Sequence, residues 1–98
     1  MTQKESIREL RTIPGVGASI AGDLWDLGIR RVDDLRGKDP ERLYRRRCRQ
    51  QGTAIDRCLL YVFRCAVYYA DTPRPNPDRL LWWNWKDPAP RRRSRRSS

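Results

Sequence analysis

Ile13-Pro14-Gly15-Val16-Gly17-Ala18-Ser19-Ile20-Ala21-Gly22-Asp23-Leu24 decides how the rest of this 98-residue chain is read. Gly15 and Gly17 let the backbone turn tightly through positive φ, which residues bearing a Cβ adopt reluctantly. Behind the turn, Ile20, Leu24 and Leu27 recur at helical spacing, and Ala21 allows a neighbouring helix to approach. Ahead of it, Ile7 and Leu10 suit a short amphipathic helix that Pro14 stops. The stretch therefore reads as helix, tight hairpin, helix. A Gly-x-Gly turn that opens a helix aims backbone N–H groups outward at the positive end of the helix dipole. That is a ready site for a phosphate.

Residues Ile13 to Leu27 resemble the helix-hairpin-helix motif: an apolar residue, Pro, Gly, an apolar residue, Gly, then a helix of small residues. The resemblance implies sequence-independent binding to the DNA backbone. Phosphate contacts would fall on Gly15, Gly17, Ala18 and Ser19, with Val16 inside the contacting loop. The carbonyls of Arg11, Ile13 and Val16 would be the place for a monovalent cation, and no other cofactor is implied. A wider similarity, over about residues 5 to 85, is to the small bacterial helix-hairpin-helix proteins labelled "pathogenicity locus". It is carried by Ile29 to Gly37, Asp39-Pro40-Glu41-Arg42-Leu43-Tyr44 and Asp56 to Tyr68. It speaks to the fold more than to the job. The implied fold is all-α: one bundle of about five helices built on a helix-hairpin-helix unit, similar in topology to a SAM domain.

Ninety-eight residues with 38% hydrophobic content allow one domain with a modest core. Lys and Arg number 22 against 12 acids, giving a net charge of +10. Five of those charges are Arg91, Arg92, Arg93, Arg95 and Arg96, so +5 remains without them. A basic body and a basic tail both favour a polyanionic partner. The best apolar run, Cys58 to Ala70, is 13 residues and is interrupted by Arg64, against roughly 20 needed to span a bilayer. Residues 1–5 lack the apolar core of a signal peptide. A cytoplasmic protein with reduced cysteines is expected.

In chain order, residues 1–5 are polar and expected to fray, with Ser6 or Thr2 capping a helix to about Arg11. The helix after the hairpin should end near Gly28. Arg30 to Gly37 reads as a short helical turn with Val32 and Leu35 inward. Asp39-Pro40-Glu41 starts a helix that turns Leu43 and Tyr44 inward and Arg42, Arg45, Arg46, Arg47 and Arg49 outward, stopping near Gly52. Thr53 then caps the longest helix, about Ala54 to Ala70, which is apolar nearly all round and so central. Gln50 to Leu60 admits a second, degenerate hairpin. This organisation gives a helical domain at 1–71, a Pro-rich connector with a Trp-rich segment packing back at 72–86, and a disordered Arg/Ser tail at 87–98.

Cys58 and Cys65, two turns apart on one helix, would be about 10.5 Å apart. That is too far for a shared metal, whose two thiolates lie within roughly 4.6 Å, or for a disulfide. With no histidine in the chain, the three cysteines read as buried structural thiols, and no catalytic base or metal cluster is evident. A non-enzymatic role is expected. Trp82, Trp83 and Trp85 could stack on bases, fold onto the core, or form a protein contact.

Two functions remain open. In the first, the hairpin binds DNA non-specifically with help from Arg45, Arg46, Arg49, Arg91, Arg92 and Arg93. In the second, the Trp-rich segment meets a protein partner or forms a homodimer. One departure separates them: Ala18 and Ser19 stand where strong DNA-binding hairpins carry Lys or Arg, and Asp23 and Asp26 follow.

Overall fold

The sequence from Cys58 to Asp71, CLLYVFRCAVYYAD, cannot hide its apolar residues on one helix face, so other elements must surround it. They do. In the computed structural model, which describes residues 2–86, this helix (α4) buries Leu59, Leu60, Val62, Phe63, Cys65, Ala66 and Val67. Three further α-helices precede it: α1 at Gln3–Leu10, α2 at Ala18–Asp26 and α3 at Pro40–Gln51. Single 3₁₀ turns lie at Val32–Leu35, Pro77–Leu80 and Trp82–Trp85, and the described residues contain no strand. α3 and all three 3₁₀ turns lean on α4, while α1 packs on α2. One core joins them, from Leu10 and Ile13 through Leu24 and Leu35 to Leu60 and Phe63. The expected count of about five helices thus becomes four, because the short apolar pieces close only one 3₁₀ turn each.

The helix starts show competition between local caps. At α1, Thr2 rather than Ser6 is the cap. Its hydroxyl accepts the Glu5 amide at 3.2 Å, and the Glu5 carboxylate accepts the Thr2 amide at 2.9 Å. This reciprocal box fixes a terminus expected to fray, and the Thr2 amide holds the Glu5 carboxyl below its usual range. Ser6 is instead fully buried, and its hydroxyl has no hydrogen-bond partner among the described residues. Ser6→Ala should therefore stabilise the fold by about 1 kcal/mol, by removing a desolvated polar group. Chemical denaturation measures this directly. A loss of stability would show that the hydroxyl does have a partner.

α4 begins at Cys58, four residues later than expected. The Asp56 carboxylate accepts the Cys58 amide at 2.8 Å, and the Asp56 carbonyl accepts the Leu59 amide at 3.1 Å. Asp56 therefore does the capping that was expected of Thr53, and the Cys58 amide holds its carboxyl below the usual range. Thr53 closes the helix before it: with Gly52 at φ +73, the Gly52 and Thr53 amides both reach the Cys48 carbonyl. Gln50 to Leu60 is thus a helix stop followed by an Asp-capped start. In the connecting loop, the carbonyl of Ile55 accepts the Tyr44 hydroxyl. α3 starts as its sequence says, with the Asp39 carboxylate on the Glu41 amide at 2.9 Å and Pro40 in the first turn.

Candidate functional site

The connection between α1 and α2 is built from its own sequence. The Val16 amide donates to the Ile13 carbonyl at 3.0 Å, closing a four-residue turn with Pro14 second and Gly15 third at φ +85. Pro fixes φ at the second position of a type II turn, and the third position demands the left-handed region. Ile13 and Val16, at the two ends, are 1% and 5% exposed and anchor the turn in the core. Gly17 differs from its expectation. It sits at φ −92, ψ −172, extended backbone open to any residue, and a Cβ there would meet nothing within 4 Å.

Gly17 is the N-cap of α2, and having no side chain it caps nothing. α1 and α3 are each capped by a side-chain oxygen and carry an acid in the first turn, whereas α2 has neither. The amides of Gly15, Gly17, Ala18 and Ser19 make no hydrogen bond to another described residue, and all four residues are exposed. Val16 offers less than its neighbours, since its amide is used in the turn and its side chain is buried. The carbonyls of Arg11, Ile13 and Val16 belong to the same loop. That of Ile13 already accepts the Val16 amide and keeps one lone pair.

The acids of α2 are not left facing the turn. Arg47 reaches across from α3 and places Nε and a terminal nitrogen on Asp23, each at 2.9 Å. Its other terminal nitrogen lies 3.1 Å from Asp26 and 2.9 Å from Gln50 Oε1. Gln50 in turn donates to the Asp26 carbonyl at 2.9 Å. Arg47, expected to point outward, is the exception in its run, with a side chain only 11% exposed. The signal was present: residue 47 is three after Tyr44 and four after Leu43, on the stripe that faces the core.

Arg45, Arg46 and Arg49 are exposed as expected. Arg46 lines a polar groove with Leu27, Gly28, Asp33, Arg36 and Lys38, at the far end of α2. Roughly 13 Å of helix separates that end from the turn amides. The structure therefore gathers Gly15 to Ser19 in one place and sets Arg46 at another. Arg91, Arg92 and Arg93, and the tail expected to be disordered at 87–98, lie outside the described residues.

The Trp-rich segment closes over α4. Trp82 packs on the core, and its Cδ1 lies 3.2 Å from where a Cβ on Gly15 would stand. Trp85 tilts against Tyr68 at 5.4 Å and donates its indole N–H to the Arg79 carbonyl at 2.7 Å. From α4, Arg64 donates to the Trp85 carbonyl at 2.7 Å and pairs with Glu41 of α3 at 2.8 Å. The Cys65 thiol donates to the Arg79 carbonyl at 3.5 Å, and burial pushes its pKa up to about 11. Cys58 corrects the expectation of three buried thiols: it is exposed at the start of α4, and the Asp56 carboxylate beside it raises its pKa. Cys48 is half-buried.

An all-helical fold with an uncapped helix start beside a glycine turn defines a small helical module of strongly basic composition. The chain belongs to the pathogenicity locus family, whose model matches residues 3–91. It is similar to the mitomycin resistance protein McrB of Streptomyces lavendulae, 34% identical over 77 residues that cover 79% of this chain and 70% of that protein. No solved structure matches it. Among the described residues, no helix is long and apolar enough to cross a membrane.

Proposed function

We propose that this chain is a cytoplasmic, non-enzymatic module that binds DNA without sequence preference. The binding element is a helix-hairpin-helix motif made of α1, the Ile13–Val16 turn and α2. The observation that carries this reading is the set of four amides, in the exposed residues Gly15, Gly17, Ala18 and Ser19, with no partner among the described residues. They stand at the positive end of α2, where a phosphate oxygen is the natural acceptor. Ser19 adds a hydroxyl donor. Arg47 pairs with Asp23 and Asp26 and offsets one of the two negative charges that would repel a phosphate. The exposed Arg45, Arg46 and Arg49, with the charges of the tail residues Arg91, Arg92 and Arg93, supply the sequence-independent attraction.

A salt series with a labelled random duplex and a matching single strand tests this. Affinity should fall steeply with salt and vary little with sequence. A chain ending at Lys86 should still bind at low salt, with a shallower salt slope. If binding disappears entirely with the arginine tail, the hairpin is scaffold and the proposal fails. The name of the Streptomyces relative suggests a setting, protection against mitomycin. Survival of a sensitive bacterium expressing the chain tests it, and no gain in survival would sink that part.

A second reading, contact with a protein partner or a second copy, rests on the exposure of Leu81 (37%) and Trp83 (47%). It predicts association that survives high salt.

A further inference from the structure

We propose that Trp83 is a base-stacking platform beside the hairpin, so that the preferred ligand is DNA with unpaired bases, a single strand or a frayed end. This inference rests on the DNA reading above and names its substrate class.

The chain has four tryptophans, and three are occupied. The Arg30 guanidinium covers Trp25 at 3.5 Å. Trp85 meets both the Tyr68 ring and the Arg79 guanidinium, with its N–H bonded. Trp82 is packed on the core and against Gly15. Trp83 alone among them is 47% exposed. Its ring meets that of Trp82 at 5.8 Å and 83°, an edge-to-face pair. In such a pair one ring gives an edge and the other a single face, so at least one face of Trp83 stays outside the pair.

Its position supplies the link to DNA. Trp82 touches the turn at Gly15, and Trp83 is one ring further on. A phosphate held by the amides of Gly15, Gly17, Ala18 and Ser19 carries its base one sugar away, and that base is the group this inference places on the Trp83 ring. In a duplex that base is stacked on its neighbours. In a single strand it is free to swing onto an aromatic face, a contact that tolerates any base. Hydrogen bonds brace the turn that carries the ring. Asn84 ties the turn to the Leu81 carbonyl at 2.9 Å and the Asp78 carbonyl at 2.7 Å, and Arg64 holds the Trp85 carbonyl.

The surroundings favour a nucleic acid over a protein. Arg74, Arg79 and Lys86, all exposed, outnumber Asp78, the one acid of residues 72–86. The apolar patch itself is two residues, Leu81 and Trp83, far short of the roughly 800 Å² per partner that a stable protein interface buries.

The test uses the full chain with a labelled oligo-dT and a random duplex, each across a salt series. Wild type should bind the single strand more tightly than the duplex, with quenching of tryptophan emission. Trp83→Leu, which keeps apolar cover on Trp82, should weaken single-strand binding about ten-fold or more and leave duplex binding unchanged. Trp83→Phe should restore most of the lost affinity. Thermal melts establish that both variants are folded. If Trp83→Leu does not fold, Trp83→Phe decides by the quench, which should shrink while affinity is retained. The proposal is overturned if wild type shows no single-strand preference, or if Trp83→Leu weakens both ligands equally or neither. It is also overturned if sedimentation at high salt shows a dimer that Trp83→Leu abolishes. Duplex binding without single-strand preference would leave the DNA reading standing. No binding to either ligand at low salt would remove both.

Discussion

Arg47→Ala should lower the stability of the fold by about 2–3 kcal/mol and its melting temperature by more than about 10 °C. The reason is what it leaves behind. Arg47 is 11% exposed and Asp23 21%, so the cut strands a carboxylate that is itself largely withdrawn from water. Asp26, at 51%, can rehydrate and adds little. The link between α2 and α3 also loses the bond from Arg47 to Gln50, which orients the Gln50 amide toward the Asp26 carbonyl. Arg47→Met with Asp23→Leu should recover most of the loss, because removing both charges ends the mismatch. Chemical denaturation of the single and double variants reads this. If Arg47→Ala melts within a degree or two of wild type, the clamp is ornamental. On the proposed DNA-binding role, affinity should drop as well, since Asp23 and Asp26 would then present uncompensated charge on α2.

The second large effect separates the two glycines of the turn. Gly15 is at φ +85 with Trp82 Cδ1 at 3.2 Å from the Cβ position. Gly15→Ala meets both obstacles and should cost about 2 kcal/mol, from the left-handed penalty and the displaced indole. Its DNA affinity should fall with the geometry of the turn. Gly17 is extended and open, so Gly17→Ser should fit without strain and stabilise the chain by a few tenths of a kcal/mol as a better N-cap. Yet it should bind DNA less well, because the new hydroxyl oxygen accepts an amide that the phosphate would use. Stability and affinity thus move together for Gly15→Ala and in opposite directions for Gly17→Ser. If Gly17→Ser binds as wild type does, the amides at the start of α2 are not the contact.

The sequence is most legible where the determinants are local. Ile13-Pro14-Gly15-Val16 spells a turn because Pro and Gly each set one dihedral and the flanking residues are apolar. Asp39-Pro40 spells a helix start for similar reasons. The α4 start is ambiguous in the sequence because two capping residues, Thr53 and Asp56, lie within a turn of one another, and only the fold of the α3 stop decides between them. That choice moves Cys58 from the core to the surface. Arg47 was hidden by its company: a run of arginines reads as a solvated face, although residue 47 shares a stripe with Leu43 and Tyr44. The contact of Trp82 with Gly15 has no local signature. It joins residues from the two ends of the described chain, and only the packing of the 3₁₀ turns on α4 brings them together.

That contact also sets an order in time. A ribosome delivers Gly15 long before Trp82, so α1 and α2 can pair while the residue that braces their turn is still unmade. Local pieces form in microseconds, but a closure over so many residues waits for the rest of the core. The turn is therefore made early in the chain and braced late. A chain stopped at Asp71 should keep α1 and α2 but lose hydrogen-exchange protection at the Val16 amide. Full protection there would mean the turn holds its shape without the brace.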